Sequence, residues 1–114
     1  MPFDVLDRLL RPLRRGAVTR RYPGGAPDLP PAARGLPVLD GSRCDGTGAC
    51  VEICPTDAIG LTGSTWALDV GRCIFCGACA RVCPRDAIRL GGTVELAASD
   101  RDDLVITTQR TVAP

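Results

Sequence analysis

The stretch Cys73-Ile-Phe-Cys-Gly-Ala-Cys-Ala-Arg-Val-Cys83-Pro84 sets four cysteines two, two and three residues apart and closes on proline. Thiolates are soft ligands, and at this spacing several sulfurs can close on one small iron–sulfur group. Working outward, a shift of 29 residues lays Cys44, Cys50, Cys54 and Pro55 over Cys73, Cys79, Cys83 and Pro84. The same shift lays Cys54-Pro-Thr-Asp-Ala-Ile-Gly-Leu61 over Cys83-Pro-Arg-Asp-Ala-Ile-Arg-Leu90. So dense a match at one period marks a duplicated structural unit. Where the upstream copy should carry its second cysteine, the chain has Thr47.

Each unit reads as a cysteine loop, a short helix (residues 49–53 and 78–82), a proline stop and a short strand (58–62 and 87–90). Gly48 and Gly77 permit the tight turns that let backbone N–H groups face an anionic cluster. Residues 63–65 read as a turn and 66–69 as a strand returning into the second loop. Ile53, Ile59, Ile74, Val82 and Ile88 are expected to form an apolar shell around the metal, or equally to pack as ordinary core. Further on, 93–97 reads as a strand, 99–103 as an acidic turn, and 104–107 as a last strand or docking segment.

The 114 residues make one small domain plus tails, too little to bury a large apolar core without a disulfide, metal or partner to staple it. Seven cysteines is an odd number, their spacings suit metal, and no signal peptide precedes them, which points to a reduced cytosolic compartment. No apolar run approaches the roughly 18 residues that cross a bilayer. The absence of histidine excludes imidazole catalysis and histidine zinc sites. Charge divides the chain: residues 1–21 carry six arginines against Asp4 and Asp7, and residues 22–114 carry eight arginines against eleven acids. The basic end is thus a separate element.

In that end, Phe3, Leu6, Leu9, Leu10 and Leu13 recur at helical spacing opposite Arg8, Arg11 and Arg15, so 3–15 reads as a basic amphipathic helix with a kink or break at Pro12. Such a helix suits an anionic membrane surface or a hydrophobic partner, the alternative being that it packs on its own domain. Five of the sixteen residues from Tyr22 to Pro37 are proline, which predicts an extended strap for wrapping a neighbour, or a passive linker. Residues 38–40 then read as a strand leading into the cysteine domain. The expected division is an arm over 1–37, the cysteine domain over 38–97 and an extension over 98–114.

The double cysteine pattern resembles the two-cluster bacterial-type ferredoxins (8Fe or 7Fe) over roughly residues 38–97. This resemblance implies an α+β, ferredoxin-like duplicated domain. It also implies crossed ligation, in which the cysteine before each proline serves the other cluster. Cys73, Cys76, Cys79 and Cys54 then hold one complete 4Fe-4S cluster. Cys44, Cys50 and Cys83 hold the second, with Thr47 in place of the fourth ligand. A threonine hydroxyl is a poor substitute for thiolate. We favour a 3Fe-4S cluster there, the alternatives being a 4Fe-4S cluster whose odd iron takes water, Thr47 or Asp45, or an empty site. Asp45 also reads simply as a turn former before Gly46. Zinc is the competing metal, since Cys-x-x-Cys pairs also build zinc ribbons, but it does not account for the full cysteine order.

The arm adds a second resemblance. Arg21-Tyr22-Pro23, the proline-rich strap and Arg34-Gly35-Leu36-Pro37-Val38-Leu39 ahead of the first cysteine loop resemble the ferredoxin-like subunit of complex I, formate hydrogenlyase and membrane-bound nickel–iron hydrogenases. That family carries eight cysteine ligands, so Thr47 is a departure. The resemblance implies a non-catalytic electron-transfer subunit, peripheral on the cytoplasmic face of the inner membrane. Its partners would be other redox subunits, met through residues 1–37 and the C-terminal extension, and no nucleic acid is expected. The rival readings are a free soluble ferredoxin serving a separate oxidoreductase, an iron or redox sensor using the odd site, and a lyase-type enzyme, the last unsupported by any acid–base constellation.

Overall fold

The computed structural model describes residues 4–19, 21–25 and 28–111. Phe3, Ala26, Pro27 and residues 112–114, which the sequence assigns to helix, strap and extension, lie outside the described residues. The elements are α1 (Val5–Arg15), β1 (Pro37–Leu39), α2 (Ala49–Glu52), β2 (Ile59–Thr62), β3 (Thr65–Asp69), α3 (Ala78–Val82), β4 (Ile88–Leu90) and β5 (Val105–Gln109), with a 3-10 turn at Asp102–Leu104.

Both short helices start on a glycine in the left-handed region, Gly48 at φ 77° and Gly77 at φ 74°, where a side chain would be strained. α3 stops at Val82 because the residue before a proline is pushed out of helical geometry, and Cys83 is extended at φ −67°, ψ 116°. That turn points its sulfur away from the sulfurs of its own loop.

The sheets are built crosswise. β1, which leads into the first cysteine loop, pairs antiparallel with β4, which follows the second, so that Leu39 faces Ile88. β3, which leads into the second loop, pairs with β2, which follows the first, so that Leu68 faces Ile59. The same crossing closes each strand end: Asp40 N–H donates to the Ala87 carbonyl at 2.8 Å, and Asp69 N–H to the Ala58 carbonyl at 2.8 Å. Each of these pairs maps onto the other under the 29-residue shift. The buried core follows suit, with Leu39 and Leu68, Ala58 and Ala87, and Ile59 and Ile88, joined by Trp66 and Cys79. Cysteines pack directly against this small apolar set.

One segment differs from the sequence reading, and another is decided between its two alternatives. Residues 93–97 form no strand; the segment is tied to the strap by Leu36 N–H donating to the Thr93 carbonyl at 3.0 Å. With Gly91 N–H donating to the Leu36 carbonyl at 2.8 Å, this bond docks the end of the strap against the segment after β4. β5, expected either as a docking segment or as a strand on the domain's own sheet, is the latter: it pairs with β3 from Asp69↔Val105 to Thr65↔Gln109. Beyond it, Thr111 N–H donates to the Gly41 carbonyl at 3.0 Å.

Gly41 is required there. A Cβ on it would lie 2.1 Å from the Gln109 carbonyl oxygen, a backbone atom that cannot swing aside. Gly41→Ala should therefore cost about 1–3 kcal/mol by forcing the two backbones apart. Gly60→Ala, where a Cβ meets nothing within 4 Å, should stay within about 0.5 kcal/mol of the parent. Chemical denaturation of the two variants side by side checks this.

α1 stands apart from the core. Asp7 pairs with Arg11 at 2.9 Å, Arg14 and Arg15 suit the negative end of the helix dipole, and Gly16 at φ 65° ends it. Pro12 sits inside the helix without dividing it. No α1 residue is buried, and Leu6, Leu9 and Leu13 are largely exposed, so the apolar stripe does not pack on its own domain. The radius of gyration, 20.4 Å against about 13 Å for a compact chain of this length, reflects that extension.

Candidate iron–sulfur centres

The cysteines gather around two cavities. One is lined by Cys54, Cys73, Cys76 and Cys79, with Pro37, Ile59, Leu68 and Ile74 supplying apolar walls. The other is lined by Cys44, Cys50 and Cys83, together with Asp45, Gly46, Thr47, Leu39, Leu61 and Ile88. This is the grouping that crossed ligation requires: Cys54 leaves its own loop for the downstream cavity, and Cys83 leaves its own for the upstream one. All seven thiols are free, and Cys79 is buried while the other six are half-buried.

The sulfurs are supplied with backbone donors. Ala58 N–H donates to Cys54 Sγ at 3.3 Å and Ala87 N–H donates to Cys83 Sγ at 3.3 Å, a matched pair under the 29-residue shift. Phe75 N–H donates to Cys73 Sγ at 3.4 Å. Such donors favour the thiolate. Burial raises the Cys54 thiol, but the N–H groups of Thr56, Ala58 and Ile59 and the Thr56 hydroxyl outweigh it, and its pKa lies below the ordinary value. Burial pushes Cys50 and Cys79 up, opposed by the Trp66 indole at Cys50 and by the Ala80 N–H at Cys79. These last two thiols are expensive to ionise alone, which is what bonding to a metal resolves.

The loops repeat in backbone as well as in sequence. Gly46 at φ 78° occupies the place that Phe75 takes at φ 54°, and Asp57 at φ 51° that of Asp86 at φ 49°. Thr47 lies on the wall of its cavity as Cys76 lies on the other. Its N–H and its hydroxyl both donate to Asp45 Oδ1, at 3.1 Å each, and the Thr47 N–H holds the Asp45 carboxyl below the usual range. That oxygen is therefore engaged in shaping the turn, the plainer of the two roles read for Asp45.

Other parts of the sequence reading change. Ile59 and Ile88 are buried as expected, whereas Ile53, Ile74 and Val82 are exposed, Ile74 while also reaching the wall of the cavity of Cys54, Cys73, Cys76 and Cys79. Ile53 and Val82 end the two short helices and Ile74 lies in a cysteine loop, all on the surface. The repeat is longer than the cysteines show: Asp40-Gly-Ser-Arg-Cys44 matches Asp69-Val-Gly-Arg-Cys73, and extending the alignment four residues upstream would have found it. Asp69 accepts from Arg101 at 3.1 Å and lies 3.5 Å from Arg72, fixing the approach to the second loop. Two further residues carried no signal in sequence. The Arg110 guanidinium packs on Gly46, where a Cβ would lie 2.0 Å from Nη1, and it donates to the Gly63 carbonyl. The Trp66 indole nitrogen is buried without a hydrogen-bond partner among the described residues.

The fit to iron–sulfur clusters rests on the donor set. Thiols line two mostly apolar cavities, and amide N–H groups are aimed at sulfur.

Fold and thiol arrangement define a ferredoxin-type iron–sulfur electron-transfer domain in a small α+β frame. Residues 43–87 match the family described as a 4Fe-4S dicluster domain. A solved structure of the membrane-bound sulfane sulfur reductase, an archaeal respiratory membrane complex, contains a chain similar to this one at 33% identity and a TM-score of 0.70. The similarity covers 90% of this chain and 58% of that one, so the present chain spans little more than half the length of its solved relative. No curated protein sequence matches it significantly.

Proposed function

We propose that this chain is a non-catalytic electron-transfer subunit of a membrane-associated respiratory complex, of the complex I-like, formate hydrogenlyase or energy-converting hydrogenase type. In this reading Cys54, Cys73, Cys76 and Cys79 hold a 4Fe-4S cluster. Cys44, Cys50 and Cys83 hold a second, of three irons, where Thr47 offers no thiolate. The observation that carries the reading is the separation of seven thiols into two cavities, each drawing on both halves of the chain. Likeness to a chain of an archaeal respiratory membrane complex supports the setting.

The clusters supply one-electron chemistry, and the protein supplies the rest. Apolar walls from Leu39, Leu68, Ile59 and Ile88 exclude water and keep the dielectric low. Backbone N–H groups at Cys54, Cys73 and Cys83 offset negative charge on the sulfurs. Exposed Ile53, Ile74 and Val82 offer apolar contact close to the cysteines, where a partner's redox centre must approach. α1 serves as the tether, its leucines and arginines presented outward together.

No helix among the described residues is long and apolar enough to cross a membrane, so attachment falls to α1 and to partner chains. Deleting residues 1–19 removes α1 and spares the strap that packs on the domain. Full-length chain should fractionate with membranes and co-purify with large redox partners, and the truncated chain should be lost from that fraction by more than about tenfold while keeping its iron. Full-length chain running alone as a soluble monomer in native extracts would instead favour the free carrier.

A further inference from the structure

β5 ends its sheet, with β3 on one side and no strand on the other among the described residues. Two bonds show which of its backbone groups face the open side. Val70 N–H donates to the Leu104 carbonyl at 3.0 Å, and Arg110 N–H donates to the Ser64 carbonyl at 2.7 Å. Each continues the β3–β5 register by one pair, and hydrogen-bonded pairs alternate along an antiparallel ladder. Ile106 and Thr108 therefore turn their backbone groups to β3, while Val105, Thr107 and Gln109 turn theirs outward. Val105 N–H closes the 3-10 turn on the Asp102 carbonyl. Left over in one row are the Val105 C=O, both backbone groups of Thr107 and the Gln109 N–H, which meet no hydrogen-bond partner among the described residues.

An open edge is a template for another strand, and proteins ordinarily guard it with charge, proline or a bulge. From Leu104 to Gln109 this strand has no charge and no proline, in a chain where 24% of residues are charged, and its pairing to β3 runs without a bulge. The chain covers the edge at one end only. There Thr111 N–H donates to the Gly41 carbonyl, and Gly41 passes close to the Gln109 carbonyl. At the other end Asp102 and Asp103 are exposed and pair with no cation among the described residues.

We propose that the outer edge of β5 is a docking surface that takes an extended segment of a neighbouring subunit as a fourth strand. The segment that fits is short, apolar or β-branched beside Val105–Thr108, and carries lysine or arginine where it passes Asp102 and Asp103. A second copy of this chain fits less well. The Gly41 segment closes the open stretch at Gln109, and so short a ladder buries far less than the roughly 1,200 Å² of a stable free-standing interface. A subunit already held beside this one adds its strand at high effective concentration. The proposal rests on the reading of the chain as part of a larger complex.

The test compares hydrogen exchange at single-amide resolution in the isolated chain and in the assembly purified from native membranes. The Thr107 and Gln109 amides should exchange more than about tenfold slower in the assembly. This comparison needs no variant and decides on its own. Thr107→Pro removes one outward N–H and no bond to β3, so the variant should keep its iron content and circular dichroism while its recovery with partner subunits falls by about tenfold or more. Thr107→Ala keeps the N–H and should be recovered as the parent is. Equal exchange in both states overturns the proposal, as does full recovery of Thr107→Pro in the assembly. Protection that appears in the isolated chain and grows with its concentration assigns the edge to a second copy, and overturns it as well. A chain that runs alone in native extracts removes the complex itself; the proposal then falls with that reading, and this failure is seen before any exchange is measured.

Discussion

Replacing Cys83 with alanine should leave about four irons per chain, all in the site of Cys54, Cys73, Cys76 and Cys79, and remove the other cluster entirely. The expectation is counterintuitive from sequence, because Cys83 belongs to the same short motif as Cys73, Cys76 and Cys79. Its backbone explains it: Pro84 forces Cys83 out of α3 into an extended conformation, and the sulfur turns to the cavity of Cys44 and Cys50. With Cys83 gone that cavity keeps two thiols and Thr47, too few to hold a three- or four-iron group. Iron and sulfide assay with paramagnetic resonance of both clusters checks the outcome. Loss of the complete cluster with survival of the other would show that each loop closes on its own four cysteines.

Thr47→Cys should do the reverse, raising iron from about seven to about eight per chain and silencing the oxidised-state paramagnetic signal of a three-iron centre. Thr47 already sits on the cavity wall at the place matching Cys76, with the turn around it held by Asp45. Cysteine there gains a thiolate in a backbone built to present one. The conversion also bears on potential, since the added iron changes cluster type and charge, and the potential of that site should move while its neighbour's stays. A parent protein with about eight irons and a silent oxidised spectrum would show that the fourth iron is already held without a thiolate.

What sequence made legible was what local chemistry decides. The glycines before α2 and α3, the prolines after Cys54 and Cys83 and the 29-residue period set helix positions, strand positions and the grouping of thiols. What it left open depended on distant neighbours. Val105-Ile-Thr-Thr-Gln109 shows no alternation of apolar and polar residues, and it is a strand because β3 offers an unpaired edge to it. Residues 93–97 lie against the proline-rich strap, which has few N–H groups to pair, and form no strand. Ile53, Ile74 and Val82 look like core by residue type, yet no element of this chain covers them. Trp66 read as one more strand residue, since nothing in its immediate sequence shows an indole nitrogen buried without a partner among the described residues.

The crosswise pairing of strands also sets an order of events during synthesis. Each cavity takes sulfurs from both cysteine loops, and each sheet pairs a strand before one loop with a strand after the other. A nascent chain emerging from the ribosome has no finished site to offer when its first cysteine loop is out, however long translation pauses there. The Cys54–Cys79 site completes first, the Cys83 site only a few residues later, and β5 seals Trp66 last. Delivery of a cluster to either cavity would thus wait until the second cysteine loop has emerged.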